Sequence, residues 1–170
     1  MTKEELEKIL FSKRTLVYVV LDGASVPDLP MKLFEMHPPN YCLFRGELEP
    51  DMAEVAPYVV QLIPNTYFTD WVLSECYGKH WGIFAHSLHS IKEMRRHFRS
   101  LVQVYNEKGD PLIFRFYDPR VLRKFLPTCT SDELNTFFGK VGTFFAEDEK
   151  DQPFSAFRLK DDKLNQKDFN

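Results

Sequence analysis

Short apolar runs alternate along the chain with segments whose apolar residues recur every three or four positions, a pattern that predicts strands and helices in succession. Thr2 with Glu5 three residues on is a reciprocal helix-capping pattern, and Leu6, Ile9 and Leu10 then form one apolar stripe. Residues 15–21 (TLVYVVL) are β-branched, aromatic and almost wholly apolar, which reads as a strand covered on both faces and ended by Asp22 and Gly23. Pro27 and Pro30 bracket the start of a short helix with Leu29, Leu33, Phe34 and Met36 inward, and Pro38 and Pro39 stop it. Strands are predicted at 41–44 and 58–63, with a helical turn at 50–56 between them. A helix over 69–77 is closed by Gly78, and 81–85 (WGIFA) is another buried strand.

The second half continues the alternation. Ser90 with Glu93 opens the most regular helix, with Ile91, Met94, Phe98 and Leu101 inward and Lys92, Arg95, Arg96 and Arg99 outward. Strands at 102–106 and 112–117 flank five residues containing Gly109, an antiparallel hairpin. On its second strand Leu112, Phe114 and Phe116 share one face, and Ile113, Arg115 and Tyr117 the other. Asp118 caps a helix whose first residue is Pro119, with Val121, Leu122, Phe125 and Leu126 inward. A third capping box, Thr130 with Glu133, precedes Leu134, Phe137 and Phe138, and a last strand follows at 141–146. Strands alternating with helices imply an α/β fold: a mixed, mostly parallel sheet flanked by helices, with the hairpin near residues 102–117 as its antiparallel part. The expected organisation is a single domain over 1–147. A polar C-terminal tail follows over 148–170, partly docked or flexible, with Phe154, Phe157 and Leu159 as its docking residues.

Composition fits one packed domain. The 170 residues include sixteen Phe, seven Tyr and two Trp, too much apolar surface for a disordered or fibrous chain. No apolar stretch approaches the roughly 20 residues of a spanning helix, and the charged start MTKEELEKIL is no secretory signal. Three widely spaced cysteines, Cys42, Cys76 and Cys129, make neither a disulfide framework nor a paired-cysteine zinc site, so a reducing cytoplasm is the simplest setting.

Charge changes the picture more. The net value is only −3, yet residues 46–78 hold six acids and no Lys or Arg, whereas 89–124 hold nine bases against four acids. Such asymmetry bears on partners more than on fold, unless these charges simply face water. A nucleic-acid-binding module using the basic 92–124 region is therefore one alternative. The net acidity and the lack of any nucleic-acid-binding motif weigh against it.

The glycines supply no nucleophile elbow, no phosphate loop and no dinucleotide fingerprint. His80, His86 and His89 near Cys76 are poorly spaced for a metal, and no metal or cofactor is expected. Asp22, at the end of a buried strand, is the one candidate for a small enzyme site. Its plainer role is to hold the backbone of the turn it begins. Arg115, Asp118 and Arg120 flank a strand-to-helix junction, either as an ion-pair latch or as a contact for an anion or acidic peptide.

The run RFYDPRVL at 115–122 resembles the signature of one bacterial family. YVVLDGA at 18–24, APYVVQL at 56–62, WGIFAHS at 81–87, FRSLV at 98–102 and FFG at 137–139 agree with it in order. Together they resemble the type VI secretion effector-adaptor chaperones, the Tap/Tec family, first catalogued as a domain of unknown function. The match runs from about residue 16 to 145. The resemblance implies a non-catalytic protein of the bacterial cytoplasm that binds a secreted effector and loads it onto a VgrG-type spike protein. Members are described with a second lobe that completes a clamp, whereas 25 residues follow Phe145 here. On this reading the partner-binding residues are Arg95, Arg96, Arg99, Arg115, Asp118 and Arg120.

Overall fold

The computed structural model describes residues 1–148 and 154–169. In chain order the elements are α1 (Lys3–Leu10), β1 (Leu16–Asp22), α2 (Leu29–Met36), β2 (Asn40–Cys42), α3 (Pro50–Val55), β3 (Pro57–Leu62), α4 (Tyr67–Glu75), β4 (Gly82–Ser87) and α5 (Ile91–Val102). They continue with β5 (Gln103–Tyr105), β6 (Pro111–Ile113), α6 (Pro119–Phe125), a 3-10 turn (Leu126–Thr128), α7 (Ser131–Phe138), β7 (Thr143–Ala146), β8 (Phe154–Lys160) and β9 (Lys163–Phe169). All three capping boxes form, at Thr2 with Glu5, Ser90 with Glu93 and Thr130 with Glu133. Each satisfies amides that the first helical turn leaves without partners.

The sheet corrects the expected fold. Seven strands in the order β2-β3-β1-β4-β7-β8-β9 form one sheet in which every neighbouring pair is antiparallel, so it is not mostly parallel. The parallel expectation rested on β1 being apolar throughout. That feature reports cover on both faces, and an antiparallel sheet sandwiched between helices has it too. β3 and β4 do run the same way, as a strand–helix–strand unit predicts, but β1 sits between them and pairs antiparallel with both.

Alternate residues of β1 feed two cores. Tyr18 and Val20 join Val59, Ile83, Ala85 and Phe144 beneath α5, α6 and α7. Val17, Val19 and Leu21 join Val60, Phe84 and Phe145 beneath α1, α2 and α4. Burying each such side chain contributes roughly 1.5–3 kcal/mol, so both layers are needed to offset the entropy of ordering the chain.

Three local expectations also change. The hairpin near 102–117 exists, but β5 and β6 form a separate two-stranded sheet. β6 stops at Ile113, and Phe116 and Tyr117 both turn inward, so the predicted alternation ends there. Phe34, expected inside, is 73% exposed on α2. Of the polar tail read over 148–170, residues 149–153 and 170 lie outside the described residues. Most of the rest is β8 and β9, which extend the main sheet with Phe154, Ala156 and Phe157 in the cores. Among the described residues no helix is long and apolar enough to cross a membrane.

Candidate functional site

Strand β1 ends in a buried carboxylate. Asp22 accepts hydrogen bonds from the Ala24 amide (3.1 Å) and the Ser25 hydroxyl (2.8 Å), the turn-holding role that its position suggested. Its third donor comes from far along the chain: the Arg115 guanidinium ion-pairs with the same carboxylate. Burial works against the Arg115 charge, but the Asp22 hydrogen bond and charge outweigh it and raise the guanidinium above its usual range. Burial pushes the adjacent Tyr117 hydroxyl up to about 12. Gly23 follows Asp22 because the backbone is crowded there. A Cβ would stand 2.3 Å from the Ala56 carbonyl oxygen and 2.5 Å from that of Glu54.

The second ion pair of the corner is separate. Arg120 clasps Asp118 with two prongs, Nε to Oδ1 at 3.0 Å and Nη2 to Oδ2 at 2.7 Å. Asp118 Oδ1 also accepts from the Arg120 amide at 2.9 Å and so caps α6, while Pro119 fills the first helical position without wasting a donor. The expected latch of two arginines on one Asp is therefore two pairs, Arg115 with Asp22 and Arg120 with Asp118. Burial pushes the Asp118 carboxyl up, but hydrogen bonds from Arg120 and the charges of Arg120 and Arg115 hold it below the usual carboxylate range. Asp118 thus adds stability that is present above that range and lost as pH falls through the lowered value. Asp118→Ala is expected to cost about 2 kcal/mol in urea unfolding at neutral pH, with the gap to the parent protein closing in acid. An unchanged midpoint would remove the latch.

The basic helix divides in the same way. Arg95 lies over the Tyr41 ring at 4.7 Å, and Arg99 donates through Nη2 to the carbonyls of Cys42 (3.0 Å) and Phe44 (2.7 Å). These two residues pin α5 to β2 and the segment after it, whereas Arg96 is exposed. Further on, Arg123 pairs with Asp148 (2.7 Å) and donates to Ser155 (2.7 Å). Much of the positive 92–124 stretch is therefore engaged within the fold.

The histidines serve local structure. His86 Nε2 donates to the Leu10 carbonyl at 2.6 Å, tying α1 to β4, and burial lowers its pKa. His89 contacts Glu93 at 3.1 Å, and His80 contacts Glu147 at 3.2 Å. Among the described residues no cluster of three metal-ligating side chains occurs. Glu147 escaped sequence reasoning because it read only as the start of a polar stretch. It is buried, accepts from the Gly78 and His80 amides, and so ties the end of β7 to the turn after α4. Burial raises its pKa against the pull of those amides.

Most of the six sequence pieces meet in space. YVVLDGA, APYVVQL and WGIFAHS are β1, β3 and β4, three adjacent strands. RFYDPRVL docks on their end through Arg115, and Phe116 lies against Phe98 of FRSLV with ring centroids 5.7 Å apart. The fold and corner define a class: an antiparallel α/β domain, helices on both faces, with an ion-paired corner closing the inner strand β1. Residues 17–136, well over half of the chain, match the family described as a domain of unknown function, DUF4123, and the chain belongs to that family. No curated protein and no solved structure gives a significant match.

Proposed function

We propose that this protein is an adaptor chaperone of type VI secretion: it binds an effector protein in the cytoplasm and delivers it to a VgrG-type spike. Membership of DUF4123, with motif pieces that resemble those of the adaptors, supports this reading. The observation that carries it is a surface one. All six residues of β5 and β6 are exposed, and Val104, Tyr105, Leu112 and Ile113 place large apolar side chains in water on a hairpin that, among the described residues, no third strand joins. Val104 and Leu112 pair on one face of this hairpin and Tyr105 and Ile113 lie on the other, and exposed apolar side chains on both faces of a two-stranded ribbon support a protein contact. The carboxylates and arginines of the corner are paired with one another, consistent with a framework role.

The test is co-expression with the effector and the spike protein encoded beside it, followed by affinity capture. Both neighbours are expected to co-purify with the chain. Capture of neither would sink the adaptor reading.

A further inference from the structure

The β5–β6 hairpin and the segment at 43–52 enclose a groove of about 400 Å³. Its walls are chiefly Leu43, Phe44, Leu48, Met52, Val102 and Ile113, mostly aliphatic. The two charged side chains that line it are Arg45 and Arg99. Arg95 is near as well: burial, and after it the positive charges of Arg95 and Arg45, pull the Arg99 guanidinium below its usual range.

These three arginines differ from those of the corner and of α6. Arg115, Arg120 and Arg123 each have a carboxylate partner. Among the described residues no acid pairs with Arg45, Arg95 or Arg99, although Glu47, Glu49 and Asp51 lie nearby in sequence on the exposed surface. Covering guanidinium groups without a counter-charge is costly, so a partner that buries this groove must bring carboxylates with it. Nucleobases, by contrast, bind by stacking on aromatic planes, and among the described residues Phe44 alone gives the groove an aromatic wall. Another exposed apolar site, around Pro30, Phe34 and Tyr58, has no arginine in its lining.

We infer that this groove is where the client docks, and that it takes an apolar protein segment flanked by acidic side chains. The inference rests on the adaptor reading and adds to it a location and a chemistry. Apolar client residues fill the space between Leu48 and Ile113, and client carboxylates meet Arg45 and Arg99.

The experiment uses the neighbour-encoded effector as the probe, captured by the whole chain and by single variants, with thermal unfolding as a folding check. Ile113→Glu and Arg45→Glu alter exposed residues and are expected to unfold as the parent does while weakening capture by about tenfold or more. Arg45→Lys should retain capture, and so should Phe34→Ser, which alters that other apolar site. Capture by the parent should fall as salt is raised. Undiminished capture by folded Ile113→Glu and Arg45→Glu overturns the groove and leaves the adaptor reading standing. No capture by the parent overturns both. A single-stranded oligonucleotide that binds the parent and is lost in Arg45→Glu overturns the protein occupant in favour of nucleic acid.

Discussion

Asp22→Ala is expected to lower stability by about 3–5 kcal/mol, because it strips a buried carboxylate from three donors at once. The Ala24 amide, the Ser25 hydroxyl and the Arg115 guanidinium all lose their acceptor, and the first two lie in a turn packed tightly on residues 54–56. Arg115→Ala removes the other member of the pair at much lower cost, about 1 kcal/mol, since its side chain is 46% exposed and already partly hydrated. Asp22 keeps its two local donors in that variant. Urea unfolding of both single variants and the double variant gives the coupling between the two residues directly. A loss of under about 1 kcal/mol for Asp22→Ala would mean that the end of β1 is held by packing alone.

Phe144→Ala should be as damaging, at about 3–5 kcal/mol, for an apolar reason. Its ring is fully buried and lies 5.2 Å from Phe137, 5.2 Å from Phe138 and 6.4 Å from Phe98, measured between centroids. Those three rings come from two helices, so truncation leaves a hole where α5 and α7 both rest on the sheet. Phe144→Leu keeps most of the volume and should cost less than half as much. Thermal unfolding ranks the pair. Equal losses for the two substitutions would show that ring geometry, not filled volume, is what β7 supplies.

Local signals were legible in the sequence and long-range ones were not. The three capping boxes, the Asp118–Pro119 helix start and the Gly109 hairpin loop depend on residues within a few positions of each other, and each forms. Strand direction depends on which segments meet. Nothing within 15–21 says that β1 will sit between two strands that both run against it. The β8–β9 hairpin shows a subtler failure. Its two-residue turn is Asp161–Asp162, with φ of 51° and 56°, so two aspartates occupy positions where Asn-Gly is the usual signal. At the corner, the spacing of Arg115, Asp118 and Arg120 suggested a shared network. The actual partner of Arg115 is 93 residues away, a pairing that no local spacing reveals.

The place of β1 sets a timetable for synthesis. A ribosome releases this apolar strand before either of its neighbours: the first is complete only at Leu62 and the second only at Ser87. Beyond β4 the sheet is extended in chain order by β7 and then by the β8–β9 hairpin. Until both neighbours are made, β1 has an unpaired apolar margin. At the edge that β9 forms, Lys163, Asn165, Gln166 and Lys167 give the sheet a polar border toward water, which blunts edge-to-edge pairing.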